Sequence, residues 1–212
     1  MKKLILTALA LIFFDAVFSQ YVILTPPDKA VVYFVRTDKA MKGGANGPIV
    51  YDGRDIVSRI NPGTFYRYEC DPGDHTFWIN RFTLGLNPHM VDPFIFCDAN
   101  LESGKIYLIY VKIKSFKGCR LFPVNPSTDW ETVEKIRSVM DNKSSIELSG
   151  LNEMKNKDKK KPKLYENAIT KTLEDFYPKH KAKDRILTLE PEWYVTREEL
   201  MYGKKKDDSE LQ

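Results

Sequence analysis

The chain has 212 residues, of which 33 are basic and 29 acidic, so its formal net charge is +4. With 42% apolar residues it has the composition of a globular protein and not of a disordered one. A charge this close to neutral argues against nucleic acid as the main partner, and no apolar run reaches the ~20 residues of a membrane-spanning helix.

Residues 1–19 have the pattern of a secretory signal peptide. A basic start is followed by a short apolar run, and Val17 and Ser19 are small enough for the −3 and −1 positions of a cleavage site. The apolar run is too short to cross ~30 Å of hydrocarbon. We therefore predict cleavage before Gln20, no transmembrane segment in the mature chain, and export to the periplasm or beyond the cell.

The composition changes sharply along the chain. Residues 20–126 contain 23 charged side chains among 107, whereas residues 150–212 contain 28 among 63. The first segment is rich in β-branched and aromatic residues, and the second is rich in Lys and Glu. We predict a β-sandwich domain over 20–126, a helix and loop over 127–149, and a charged helical extension over 150–212.

Eight short apolar segments in the first part are separated by turn signals such as Asp52-Gly53 and Asn61-Pro62-Gly63. Such a pattern is typical of an antiparallel sandwich or barrel, and we predict an antiparallel β-sandwich followed by C-terminal helices. The predicted strands are 30–36, 49–51, 56–60, 64–70, 75–79, 93–97, 106–113 and 120–124. In the two most apolar strands, the residues predicted to face the interior are Val32, Phe34, Leu108 and Tyr110.

Capping boxes mark two helix starts. Thr128 and Glu131 predict a helix beginning near Thr128, and Thr196 and Glu199 predict a short helix that ends at Gly203.

Residues 164–176 have the apolar spacing of an amphipathic helix, which Pro178 is expected to end. The preceding lysine run, 155–163, is either a solvated linker or a contact for an anionic lipid or polysaccharide. An isolated helix of this length is marginal in water, so it must dock. Its surface is either the sandwich of the same chain, which we favour, or a partner.

The three cysteines, Cys70, Cys97 and Cys119, cannot all pair within one chain. One disulfide with a free thiol and three buried thiols are both compatible with the sequence. The absence of a Cys-x-x-Cys motif argues against a thioredoxin-type redox site.

Three stretches carry a family resemblance: PPDKAVVYFVR (26–36), YDGRDIVSRINPGTFYRYECDPGDHTFWI (51–79) and GKIYLIYVKI (104–113). They resemble an uncharacterised bacterial secreted family known as domain of unknown function 2846, over about residues 26–124. Their turn-and-strand pattern is also similar to small surface β-sandwich modules named for a Pro-Glu-Gly-Ala motif. The resemblance implies a secreted β module, and it implies no catalytic residues because the family has no established activity.

Catalytic chemistry is sparse in the sequence. Cys70 and His75 could form a nucleophile–base pair across the turn that separates them, although such a pair needs a third, orienting group. His89 with Asp92 falls short of the roughly four ligands of a structural metal site. We therefore predict no catalytic residue, no metal and no cofactor; the alternative is a hydrolase or thiol-dependent enzyme that uses Cys70 with His75, or His89.

The segment around a proline-rich loop offers the best binding candidates. Aromatic rings there could stack on a sugar or seat a protein partner, or they could belong to the core. We predict an exported, non-enzymatic binding or interaction module of the cell envelope, with an envelope protein or glycan as its partner. The candidate binding residues are Trp78, Phe82, His89 and Phe94.

Overall fold

The computed structural model describes residues 25–38, 47–80, 96–114, 118–142 and 162–204. Within these ranges the chain forms ten strands, four α-helices and one π-helical turn. The strands are β1 (Ala30–Arg36), β2 (Ile49–Asp52), β3 (Asp55–Arg59), β4 (Thr64–Cys70), β5 (Gly73–Asn80), β6 (Phe96–Leu101), β7 (Ile106–Lys114), β8 (Gly118–Pro123), β9 (Leu187–Leu189) and β10 (Tyr194–Val195). The helices are α1 (Trp130–Asn142), α2 (Pro162–Lys171), α3 (Tyr177–Lys181) and α4 (Arg197–Tyr202), with the π-helical turn Thr172–Phe176 between α2 and α3.

The strands form two five-stranded sheets. Sheet A has the order β10-β7-β1-β4, with β8 also paired to β7, and sheet B has the order β3-β2-β5-β6-β9. The mainly β class with helices late in the chain is confirmed. The sheets are mixed and not wholly antiparallel, because β1 pairs in parallel with β7 and β6 pairs in parallel with β9. Parallel neighbours need a long connection, and both pairs have several elements between them in the chain.

The turns of the first half form as the sequence predicts. The hairpin between β2 and β3 turns at Gly53, whose φ is 52°, and the chain enters β4 through Gly63 at φ 65°. These backbone angles suit glycine because it has no Cβ. The sixth strand lies later than predicted, at Phe96–Leu101. Positions 93–95 of that prediction are outside the described residues.

The space between the sheets is filled by alternate residues of each strand. Val32 and Phe34 are completely buried there, and the rings of Phe34 and Phe77 meet edge to face with centroids 5.2 Å apart. The prediction is wrong for Leu108 and Tyr110, which belong to the cluster on the opposite face of β7. A strand that is apolar on both faces has no alternation, so its pattern cannot show which side chains point inward.

Helices α1 and α4 cover the outer face of sheet A. Val133 and Ile136 of α1 are fully buried against Tyr33 of β1, together with Leu200 of α4. The cap of α1 is one residue later than predicted: the Asp129 carboxylate accepts a hydrogen bond of 3.2 Å from the backbone of the third helical residue.

The predicted capping box of α4 is confirmed. The Thr196 hydroxyl accepts from the Glu199 N–H, and the Glu199 carboxylate accepts from the Thr196 N–H. Gly203 ends this helix, also as predicted.

The segment 162–181, which we call the arm, packs on the outer face of sheet B. Ile169 joins the buried core, and the Tyr177 hydroxyl donates to Asp98 of β6 over 2.7 Å. The Tyr177 ring also contacts Phe96 edge to face. The arm therefore docks on its own chain, which was the favoured alternative. It does not end at Pro178: the wider π-helical turn precedes this proline, and the helix continues to Lys181.

The C-terminal segment is more than a helical extension, because it adds one strand to each sheet. Strand β9 lies beside β6, and β10 lies beside the start of β7. Both strands were missed because they have three and two residues, too few to show a periodic pattern. Residues before and after position 150 therefore pack into the same two hydrophobic cores.

The three cysteines are all buried and free, so the described structure has three thiols and no disulfide among them. No helix in the described ranges is both long and apolar enough to cross a membrane. The predicted signal peptide, residues 1–19, lies outside the described residues.

Candidate functional site

The candidate residues Cys70 and His75 do meet, at the end of the sandwich where the chain passes from sheet A to sheet B. Cys70 is the last residue of β4, and His75 is the third residue of β5. Asp52, the last residue of β2, faces them from the neighbouring strand of sheet B. The three side chains form a Cys–His–Asp cluster, which includes the third group that the sequence had not identified.

Both ring nitrogens of His75 are hydrogen-bonded to oxygen acceptors. Nδ1 lies 2.7 Å from Asp52 Oδ2, and Nε2 lies 2.8 Å from the backbone oxygen of Asp71. The same carboxylate oxygen accepts from the Tyr68 hydroxyl over 3.0 Å. The imidazole stacks on the Phe77 ring at 5.5 Å between centroids, and its side chain is only 13% exposed.

This geometry determines the charge of His75. An ionised carboxylate and a peptide carbonyl can only accept, so each ring nitrogen must carry a proton. The hydrogen bond with Asp52, followed by one with the Cys70 side chain, raises the pKa of His75 from 6.5 to about 10, although burial acts in the opposite direction. His75 is therefore an imidazolium at neutral pH.

A cysteine enzyme needs a sulfur that pairs with a histidine and that a substrate can reach. Cys70 is 6% exposed, and its sulfur lies 3.9 Å from the backbone oxygen of Ala30. In this arrangement the cluster contains a half-buried ion pair that joins the end of β2 to β5, and His75 also holds the turn before β5 through Asp71.

We expect the contribution of this ion pair to stability to depend on pH. The pKa of His75 is higher in the folded state than in the unfolded chain, so its stabilisation is complete below pH 6.5 and is lost as the pH rises towards 10. His75→Gln should lower the free energy of unfolding by about 1.5–3 kcal/mol at pH 6 and by much less at pH 10. Urea unfolding of both proteins at pH 6, 8 and 10 measures the difference.

The partner substitution Asp52→Asn serves as the control for this experiment. Once Asp52 has lost its charge, adding His75→Gln should cost less than it does in the natural chain. A penalty for His75→Gln that stays constant from pH 6 to 10 would contradict the charged pair.

The structure describes only one of the four predicted binding residues. Trp78 is completely buried on the outer face of sheet B, stacked on Tyr51 with ring centroids 3.9 Å apart. Its indole nitrogen donates to the Gly53 oxygen over 2.7 Å. Trp78 is therefore a core residue and offers no exposed face to a ligand. The other three candidates, Phe82, His89 and Phe94, lie outside the described residues.

A second surface feature lies near the same end of the sandwich. An open groove of about 320 Å³ lies where β10 pairs with the start of β7. It is lined by Thr25 and by the segments 104–106 and 194–197. The sequence analysis missed it because neither β10 nor its pairing with β7 was predicted.

The side chains of the groove combine an aromatic ring with two cations. The Lys105 ammonium lies 3.7 Å from the centre of the Tyr194 ring, a cation–π contact that holds the charge at the edge of the groove. Arg197 is the second cation, and its Nε is buried and has no hydrogen-bond partner among the described residues. None of the described residues that line the groove is acidic.

Two further polar side chains lie partly or fully buried away from these sites. His180 packs its ring 5.5 Å from that of Phe96, and burial lowers its pKa. Arg36 is 3% exposed and pairs with Asp38 through Nε at 2.9 Å. Within the described ranges, no three His, Cys, Asp or Glu side chains are arranged to hold a metal ion.

No protein-family model matches this chain, and no curated protein matches it either. The similarity to domain of unknown function 2846 therefore rests on the quoted residues alone.

Proposed function

We propose that this protein is an exported, non-enzymatic binding module of the cell envelope, and that the groove between β7 and β10 is where it holds its ligand. The observation that carries the proposal is the groove itself. It brings an aromatic ring and two cations to an open surface at a junction of strands distant in sequence. Surface concavities with a few placed polar groups are the usual form of a ligand site.

The state of the Cys–His–Asp cluster favours binding over catalysis. Cys70 is 6% exposed and its sulfur lies 3.9 Å from the backbone oxygen of Ala30, so a substrate has little access to the nucleophile of the thiol-dependent alternative. The alternative that uses His89 concerns a residue outside the described ranges, and no geometry supports it. Export is supported by the basic start and short apolar run of residues 1–19.

Export makes a direct prediction about the N-terminus. When the full chain is expressed in a bacterium, mass spectrometry of the secreted or periplasmic protein should find a terminus within a few residues of Gln20. A chain that retains Met1 and sediments with the membranes would contradict export.

The binding function is tested by blocking the groove without changing its charge. Thr25→Trp would fill the groove from one side, since Thr25 lines it and precedes β1. Thr188→Trp is the matched control, because Thr188 is exposed on β9 and does not line the groove. Immobilised wild-type protein and both variants would be incubated with envelope extract, and the retained molecules compared by mass spectrometry.

We expect the wild type and Thr188→Trp to retain the same component and Thr25→Trp to lose it. The component should be recovered with its mass unchanged, because the module does not convert what it binds. Equal retention by all three proteins would reject the groove as the site. A component recovered cleaved or modified would instead favour an enzyme.

A further inference from the structure

We propose that the groove recognises a small anionic ligand, through a carboxylate or phosphate group placed between Lys105 and Arg197. This inference rests on the proposed function and adds the chemical class of the ligand. Among the described residues that line the groove, two are cationic, Lys105 and Arg197, and none is acidic. The whole chain, in contrast, is nearly balanced at 33 basic and 29 acidic residues.

Two acidic residues follow Arg197 directly: Glu198 is exposed, and Glu199 is engaged elsewhere. The Glu199 carboxylate accepts from both the N–H and the hydroxyl of Thr196, at 2.8 and 2.9 Å, as part of the capping box. The Nε of Arg197 is enclosed, so a ligand in the groove would meet the terminal nitrogens of the guanidinium group. The oxygens of a carboxylate or phosphate match these nitrogens in a bidentate pair.

The position of Lys105 supports the same ligand class. Its ammonium is held over the Tyr194 ring, and the backbone on either side is fixed by hydrogen bonds from Val31 to the Lys105 oxygen and from Gly104 to the Lys29 oxygen. A cation placed in advance loses little conformational freedom when an anion binds. The ligand would therefore meet two charges whose positions the fold already sets.

The volume limits the size of the ligand. About 320 Å³ is at the low end of the range of small-molecule sites, roughly 300–1,000 Å³. The groove accommodates one charged sugar or one amino acid, or the charged end of a longer molecule. Tyr194 offers an aromatic edge beside the charge, which suits a sugar acid or a sugar phosphate.

The test uses probes that differ in charge but hardly in size. Glucuronate and glucose 6-phosphate carry the two anionic groups on a sugar, glucose carries neither, and acetate and inorganic phosphate carry the groups without a sugar. Binding to the full exported chain is followed by calorimetry and by NMR shifts of the groove residues. The variants are Lys105→Gln and Arg197→Gln, and Lys112→Gln is the control because Lys112 is exposed on β7 and does not line the groove.

We expect saturable binding of at least one anionic probe with a Kd below about 1 mM, and none of glucose. Arg197→Gln and Lys105→Gln should each weaken it by about tenfold or more, Lys112→Gln should leave it unchanged, and added salt should weaken it. Which probe binds best distinguishes a carboxylate from a phosphate ligand. Neither groove substitution removes the backbone hydrogen bonds or the capping box, so the variants should keep the wild-type melting temperature.

Three results would overturn the inference: equal binding of glucose and the anionic sugars, wild-type affinity in both groove variants, or no saturable binding of any anionic probe. These failures are distinguishable from failure of the proposed function. If Thr25→Trp loses the envelope component while no anionic probe binds, the groove is a binding site of another chemical class. If the probes bind but no component is retained, the anionic site stands and the envelope role falls.

Discussion

A chain that ends at Ser149 is expected to lose its cooperative fold. The truncation removes the arm, β9, β10 and α4, and with them buried side chains from both cores. On the outer face of sheet B it exposes Phe96, which contacts the arm directly. It also removes Ile169 from the buried cluster that contains Trp78 and Tyr51. The buried residues lost from the two cores are Ile169, Leu189, Val195 and Leu200.

The loss of these four buried aliphatic side chains, at about 2 kcal/mol each, removes about 8 kcal/mol, which is comparable to the 5–15 kcal/mol by which ordinary domains are stable. The newly exposed aromatic surface adds to this loss. Circular dichroism should show no sharp thermal transition, and a hydrophobic dye should bind the truncated chain. Trp78 fluorescence should shift to longer wavelength, since its ring is completely buried in the intact protein. A chain ending at Lys204 retains all described elements and should melt like the full protein.

An unchanged melting temperature after truncation at Ser149 would contradict docking of the arm on its own chain. It would also make residues 150–212 the main candidate for binding a partner, in place of the groove.

Phe34→Ala is expected to be among the most destabilising single substitutions. Phe34 is completely buried between the sheets, and its ring contacts those of Phe77 and Tyr68. Replacing it leaves a cavity that rigid strands on both sides cannot close, with a cost of about 3–5 kcal/mol. Chemical denaturation at neutral pH measures this as a large fall in the midpoint with little change in the m-value.

Phe122→Ala is the matched control, because Phe122 is only half-buried on β8, with its ring 6.4 Å from that of Tyr110. It makes the same chemical change outside the interior and should cost less than half as much as Phe34→Ala. Equal losses for the two variants would contradict the assignment of Phe34 to the interior.

Much of the sheet architecture was predictable because local signals and tertiary structure agree there. Gly53 and Gly63 have positive φ and lie in turns between successive strands. A tight turn fixes which residues of the two strands lie opposite each other, so the turn residues also determine the register. In β4 the alternation of Tyr66 and Tyr68 with charged neighbours shows which face meets the interior. In β7 every position from Ile106 to Ile109 is buried, so the sequence pattern does not show which face of the strand points to the interior. The prediction for Leu108 is wrong for this reason.

The candidate site was less predictable because its geometry is non-local. Asp52 was interpreted only as a turn residue, although its carboxylate lies 2.7 Å from a ring nitrogen of His75, which is 23 positions away. The groove depends on β10, whose two residues pair with a strand nearly ninety positions earlier. Composition suggested a separate charged extension after residue 150, but a few apolar residues such as Leu189 and Val195 suffice to add strands to both sheets.

In the Cys–His–Asp cluster, His75 and Asp52 form an ion pair that supports the fold. NMR of a sample with ¹⁵N-labelled histidine tests it most directly, because the ring nitrogens report their own protonation. We predict that both nitrogens of His75 carry protons at pH 8 and that the ring titrates near pH 10. A His75 ring that is neutral at pH 8, with one unprotonated nitrogen, would contradict the ion pair.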